Sequence, residues 1–165
     1  MRSEEVTIRR ATIRDGEVLA ELRTIMLVSI FGDIIEEEVE RKINLDYFRG
    51  WDGEEPFCLV AEAGGRVVGS VASSFYPHFP SSRNPTGRLA MVHNLCVFEE
   101  FRGRGIGRSL MRAILAECRD RNVGRVNLYA SDMGRGIYEC FGFREEQPFC
   151  PEMRLHQADL EKLEL

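Results

Sequence analysis

Apolar residues change period several times along the chain, and each change marks an element. Val6 and Ile8 alternate with polar neighbours and Ile13 follows; the spacing then turns helical at Val18, Leu22, Ile25 and Met26. That pattern predicts a strand followed by a helix. In residues 34–49, Ile35, Val39, Ile43 and Tyr47 recur at i+4 behind Glu36, Glu37 and Glu38. A second helix is expected there, with its acids near the positive end of the helix dipole. "PFCLVAEAGGRVVGSVASSFY" reads as two β-rich runs around Ala63-Gly64-Gly65, a hairpin at the centre of a sheet. The three prolines, serines and asparagine of residues 77–87 predict a loop inside one domain.

From Arg88 the pattern sharpens. "RLAMVHNLCVF" is a nearly continuous apolar run, "RGRGIG" follows, and Ile106, Leu110, Ile114 and Cys118 then form a helical stripe with Gly124 as its stop. "RVNLYA" alternates as a strand, and Ser131 or Asp132 is placed to cap a short helix ending at Gly142. The tail "FREEQPFCPEMRLH" reads as one or two closing strands, and no repeat or low-complexity segment interrupts the order.

Composition narrows the class. With 165 residues and 44% apolar content, the chain supports one domain over 1–165 with a real core. No apolar run reaches the roughly 20 residues of a membrane span, and the first residues lack a secretory stretch. A cytoplasmic location is therefore expected, with no membrane partner. Five cysteines, Cys58, Cys96, Cys118, Cys140 and Cys150, form no CxxC pair and read as reduced core residues. Residues 1–62 carry 15 acids against 8 bases, and residues 63–165 carry 12 against 14. This balance disfavours nucleic acid as a partner and favours a local anion site in the second half.

That site is expected at Arg102-Gly103-Arg104-Gly105-Ile106-Gly107. A glycine-rich turn between a strand and a helix aims free N–H groups and the helix dipole at one point, which suits phosphate. A plain surface turn is the bland alternative. The triphosphate loop GxxxxGK[ST] fails for want of a lysine, and GxGxxG fails because Arg108 stands at the third required position.

The run from Leu95 to Gly107, "LCVFEEFRGRGIG", resembles the pyrophosphate loop of the GNAT superfamily of N-acetyltransferases, where the pattern reads L-A-V-x-P-x-Y/F-R-G-x-G-I-G. Glu99 replaces the usual proline. Residues 130–143, "ASDMGRGIYECFGF", are similar to the family's second signature, and the element order fits along essentially the whole chain.

The resemblance implies an α/β (α+β) fold: a mixed, mostly antiparallel, twisted sheet of six to seven strands, flanked by about four helices and splayed between the fourth and fifth strands. It implies acetyl-CoA as co-substrate, with Leu95, Cys96 and Val97 along the pantetheine arm, Arg102, Gly103, Arg104, Gly105, Ile106 and Gly107 at the pyrophosphate, and Ser131 where relatives carry asparagine. Tyr138 stands where the family's tyrosine protonates the departing thiolate, the alternative being a tyrosine packed beside Phe141. His93 is a candidate base or water relay, because regular alternation puts it on the face of Leu95 and Val97; a packed strand histidine is the bland alternative. Regular alternation turns Asn94 to the other face unless a bulge reverses it. Cys96 should face away and be a structural thiol. His78 and His156 have no carboxylate at ligand spacing, so no metal is assigned.

The expected activity is transfer of an acetyl group to a primary amine of a small molecule or amino acid by direct attack in a ternary complex. A catalytically inactive CoA or acyl-CoA sensor, an enzyme using a longer acyl donor, and a transferase acting on a protein or peptide amine stay open. Many family members are dimers, so a homodimer is among the assemblies implied. Phe31, Tyr47, Phe75, Tyr76 and Phe79 are candidates to line the acceptor pocket, although core packing explains them equally well.

Overall fold

The structure is a computed structural model that describes residues 5–147 and 152–162. Strand β1 (Val6–Arg10) leads through a short turn into α1 (Gly16–Phe31) and α2 (Glu37–Arg49). The hairpin follows as β2 (Phe57–Ala63) and β3 (Arg66–Pro77), joined by Gly64 and Gly65 with φ of 57° and 77°. Two consecutive positive φ values are what a two-residue hairpin turn requires, and glycine supplies them without steric cost. Then come β4 (Arg88–Val97), α3 (Ile106–Asp120), β5 (Arg125–Leu128), α4 (Asp132–Cys140) and the short α5 (Gln157–Leu160).

The five strands lie in chain order, antiparallel except for the parallel pair β4 and β5. Six or seven strands were expected. The difference lies in the tail, where residues 143–147 and 152–156 form no strand and residues 148–151 lie outside the described set.

Helices cover both faces of the sheet. On one face, Ile106, Leu110, Met111 and Ile114 of α3 pack against Phe57, Leu59, Val71 and Val92. The stripe expected from the sequence is the buried stripe: Leu110 and Ile114 are fully enclosed. On the other face Leu19 and Leu22 of α1 meet Val60, Ala72 and Cys96.

Two local expectations differ from the structure. The i+4 series Val39, Ile43 and Tyr47 faces outward, each about half exposed, and the buried residue of α2 is Asn44. Asn44 Nδ2 donates to Thr24 Oγ1 at 3.1 Å, while Thr24 Oγ1 donates to the Ala20 carbonyl at 2.9 Å. A satisfied polar chain therefore joins α1 to α2, where an apolar stripe was expected. Gly124 does not stop α3. The stop is Asn122 at φ 56°, whose N–H donates to the Arg119 carbonyl while Val123 N–H donates to that of Cys118. This paired closure is a Schellman motif built on asparagine. Gly124 instead makes room for the loop before β4, since a Cβ there would lie 1.8 Å from Asn84 Oδ1.

Candidate functional site

A cleft of about 880 Å³ opens between α1, the C-terminal half of β4, the start of α3 and α4. It exists because β4 outruns its neighbour. Pairing with β5 covers Leu89 to Val92 and ends at Leu128, whereas β4 continues to Val97. From His93 onward, β4 has no strand on that side among the described residues. The expected splay between the fourth and fifth strands corresponds to this parting. Main-chain donors and acceptors there need partners, and an extended polar ligand can supply them.

β4 is also irregular. Ser70 pairs with Cys96 but Ala72 pairs with His93, so two residues of β4, Asn94 and Leu95, oppose Val71 alone. Asn94 takes φ 54°, the left-handed region. This β-bulge rotates the strand by one position. Consequently Val92, Leu95 and Val97 face the α3 side, and Cys96 packs with Leu22 and Phe98 on the α1 side. His93 follows Val92 and pairs with Ala72, which also packs on the α1 side, so it does not share a face with Leu95 and Val97 as alternation predicted. Asn94 lines the cleft, and its buried Oδ1 has no donor among the described residues.

His93 Nε2 lies 3.1 Å from Ser74 Oγ. Burial, with the nearby Arg23 charge, holds its imidazole below the ordinary pKa and therefore neutral at pH 7. Arg23 also lines the cleft and is itself drawn down from its ordinary value by burial, with the charge of Glu40 opposing. Nothing in the local sequence pattern around Arg23 separates a cleft arginine from a solvated one.

The glycine turn forms the far end. Gly103 and Gly105 take φ of 75° and 81°, and a Cβ at either would point into open space. Gly105 precedes α3 directly and no side chain caps the helix. The first intrahelical donor is Ser109 N–H, to the Gly105 carbonyl at 3.1 Å, so the N–H groups of Ile106, Gly107 and Arg108 have no intrahelical acceptor. Three convergent donors at a helix start form an anion site. The arginines serve the turn as well as the charge. Arg102 Nε donates to the Val97 carbonyl at 3.0 Å, and Arg104 Nη2 to that of Glu100 at 2.8 Å while stacking on Phe101.

Between the two ends stands α4. Ser131 is its cap: the hydroxyl oxygen accepts from Gly134 N–H at 3.3 Å. Tyr138 lies over Gly134, where a Cβ would come within 2.9 Å of the ring, and packs edge-on to Phe143 at 6.2 Å. Tyr138 lines the cleft, with burial raising its pKa above the ordinary value, so the phenol stays protonated at neutral pH.

The other candidates fall elsewhere. Burial raises the Cys96 thiol, as it does Cys58, pushed up to about 12, and Cys118, to about 11. These are protonated structural thiols, whereas Cys140 is exposed and Cys150 lies outside the described residues. Of the five aromatic candidates, Phe31 alone lines the cleft; Phe75 packs on Phe57, and Tyr47, Tyr76 and Phe79 are exposed. Among the described residues no group of three His, Cys, Asp or Glu side chains is placed to hold a metal, and no helix is long and apolar enough to cross a membrane.

An open strand edge running into a helix start without a side-chain cap offers main-chain groups that suit a long ligand, amide-like at one end and anionic at the other. Comparison with known proteins gives that class a family. A model of the acetyltransferase (GNAT) family matches residues 22–143. An uncharacterized N-acetyltransferase of Chlorobaculum tepidum is 32% identical over 95 residues, 57% of this chain and 54% of that protein. A GCN5-related N-acetyltransferase from Ralstonia eutropha superimposes with a TM-score of 0.78 at 22% identity, over 90% of this chain and 99% of that one. A predicted acetyltransferase with acetyl-CoA from Clostridium acetobutylicum gives 0.76 at 25% identity, over 93% and 99%. The chain spans about half the length of the curated relatives it matches. It belongs to the acetyltransferase (GNAT) family.

Proposed function

We propose that the protein is an acetyl-CoA-dependent N-acetyltransferase that moves the acetyl group to a primary amine of a small molecule by direct attack. The observation that carries this is the continuity of the cleft, which the open edge of β4, the uncapped start of α3 and the half-buried Tyr138 all line.

The residues present fit the co-substrate. Gly103 and Gly105 leave the backbone bare at an anion site, so N–H groups from Gly105 to Arg108 would hold the pyrophosphate. The main chain from Asn94 to Val97 would pair with the amides of the pantetheine arm. When bound, acetyl-CoA supplies an acetyl group activated as a thioester.

An alkylamine is protonated at neutral pH and must lose a proton before it attacks. His93 is neutral and therefore able to accept one. The bulge puts it on the α1 face, away from Leu95, so we assign it proton acceptance from the acceptor side, through water. Tyr138 holds its proton and donates it to the departing sulfur. Cys96 packs against Leu22 and Phe98 with a raised thiol pKa, which favours direct transfer over an acetyl-cysteine route.

Thiol release from acetyl-CoA with a panel of primary amines tests the reading. Tyr138→Phe should lower kcat about 100-fold while leaving the KM for acetyl-CoA within about twofold, because the phenol acts in departure of the leaving group. Parallel loss of binding and turnover would reassign Tyr138 to packing. Tight CoA binding without turnover on any amine would favour a sensor.

A further inference from the structure

Arg23 is unusual among the arginines of this chain. Most have an acceptor for the guanidinium: a carboxylate for Arg9, Arg41 and Arg121, for example, and a main-chain carbonyl for Arg88 and Arg102. Arg14, Arg83, Arg112, Arg125 and Arg144 have none among the described residues, and all five are exposed, so water solvates them. Arg23 has none and is partly buried. Glu40 feels its charge but forms no ion pair with it within 4.0 Å. A guanidinium that gives up water without gaining a partner costs stability, and such a cost persists where the group serves a ligand.

Its surroundings define that ligand. The α1 face that lines the cleft runs Arg23, Met26, Leu27, Ser29, Ile30 and Phe31, one positive charge at the head of a mainly apolar stripe. His93, assigned above to proton acceptance, feels the Arg23 charge, so the guanidinium stands near the acceptor end and apart from the glycine turn. Of the other cleft arginines, Arg154 is paired with Glu152 at 3.0 Å, and Arg102 and Arg108 belong to the glycine turn and the helix that follows it.

We propose that Arg23 binds the carboxylate of the acceptor, and that the acceptor is an α-amino acid with an apolar side chain, seated along Met26, Leu27, Ile30 and Phe31. The inference rests on the transferase reading and decides among its acceptors. An internal lysine or a protein N-terminus carries no carboxylate beside its amine. A polyamine or other polycation meets an uncompensated positive charge. A free amino acid supplies the oxyanion for which a guanidinium fork is shaped, and its ammonium offsets the charge brought in.

The test compares leucine and phenylalanine with leucinamide, phenylalaninamide, 3-methylbutylamine and 2-phenylethylamine, by thiol release in wild type, Arg23→Gln and Arg23→Lys. Wild type should favour the acids over the amides by about 10- to 100-fold in kcat/KM, the range expected for a charge-assisted contact. Arg23→Gln should erase that preference chiefly through the KM for the amino acid, with the KM for acetyl-CoA unchanged as proof of folding. Arg23→Lys should restore part of it. Equal use of acids and amides by wild type, or a preference that survives in Arg23→Gln, overturns the proposal.

Binding of N-acetyl-leucine in saturating CoA, by calorimetry, separates the two readings. Binding that Arg23→Gln weakens at least tenfold, in a protein that turns over no amine, would uphold the carboxylate site and overturn the transferase. Turnover of amines without such binding, and without preference for acids, would do the reverse.

Discussion

His93 shows how one charge sets the working range of another. Burial and the Arg23 charge both disfavour imidazolium, so the folded-state pKa lies below the unfolded value of about 6.5. Removing the positive neighbour stabilises imidazolium and raises the pKa. Arg23→Gln should therefore move the acidic limb of the kcat/KM profile to higher pH, and an unmoved limb would separate His93 from the proton path. A second residue governs stability. Asp15 accepts from both terminal nitrogens of Arg9 at 2.9 Å and from Thr12 N–H at 2.7 Å, and these contacts hold its carboxyl below the ordinary range. Its contribution is present above the unfolded pKa of about 3.9 and is lost as pH falls through the lower folded value. Asp15→Asn should cost about 2 kcal/mol in urea unfolding at pH 7, and the gap from wild type should narrow in acid.

At the scale of elements, the turn before α3 is the most exacting piece of backbone. Gly105 holds φ 81° with open space where a side chain would begin, so a substitution there meets strain and obstructs the anion site without disturbing the core. Gly105→Val should raise the KM for acetyl-CoA at least tenfold while leaving the free energy of urea unfolding within about 2 kcal/mol of wild type; an unchanged KM would remove the turn from the donor site. This element was legible in the sequence because its requirements are local: glycines at fixed offsets, then Ile106, Leu110, Ile114 and Cys118 at helical spacing. The Asn94–Leu95 bulge was not, because it depends on how β4 registers against Val71 of another strand. Alternation in one strand cannot report a slip against its partner, and so His93 was expected on the wrong face. The inward face of α2 was hidden for a related reason: Asn44 is buried only because Thr24 on another helix accepts its hydrogen bond.

Across the whole molecule, the order of strands and helices as far as α4 and the glycine turn before α3 could be read from the chain, since hydrophobic period and turn chemistry determine them. The acceptor end could not. As proposed, it would be assembled from Arg23 on one helix and His93 on a strand 70 positions away, both lining the cleft, and neither stands out among its sequence neighbours. The open edge of β4 carries a consequence for the protein as a thermodynamic object. Amide protons between His93 and Val97 on the side that β5 leaves open have no strand partner among the described residues. CoA should slow their hydrogen exchange selectively, with little change in β2. It should also raise the free energy of unfolding by about 2.7 kcal/mol at a hundredfold excess over Kd. Uniform slowing across the sheet would mean that binding tightens the fold as a body; slowing confined to β4 would mean that the co-substrate completes the sheet as its missing strand.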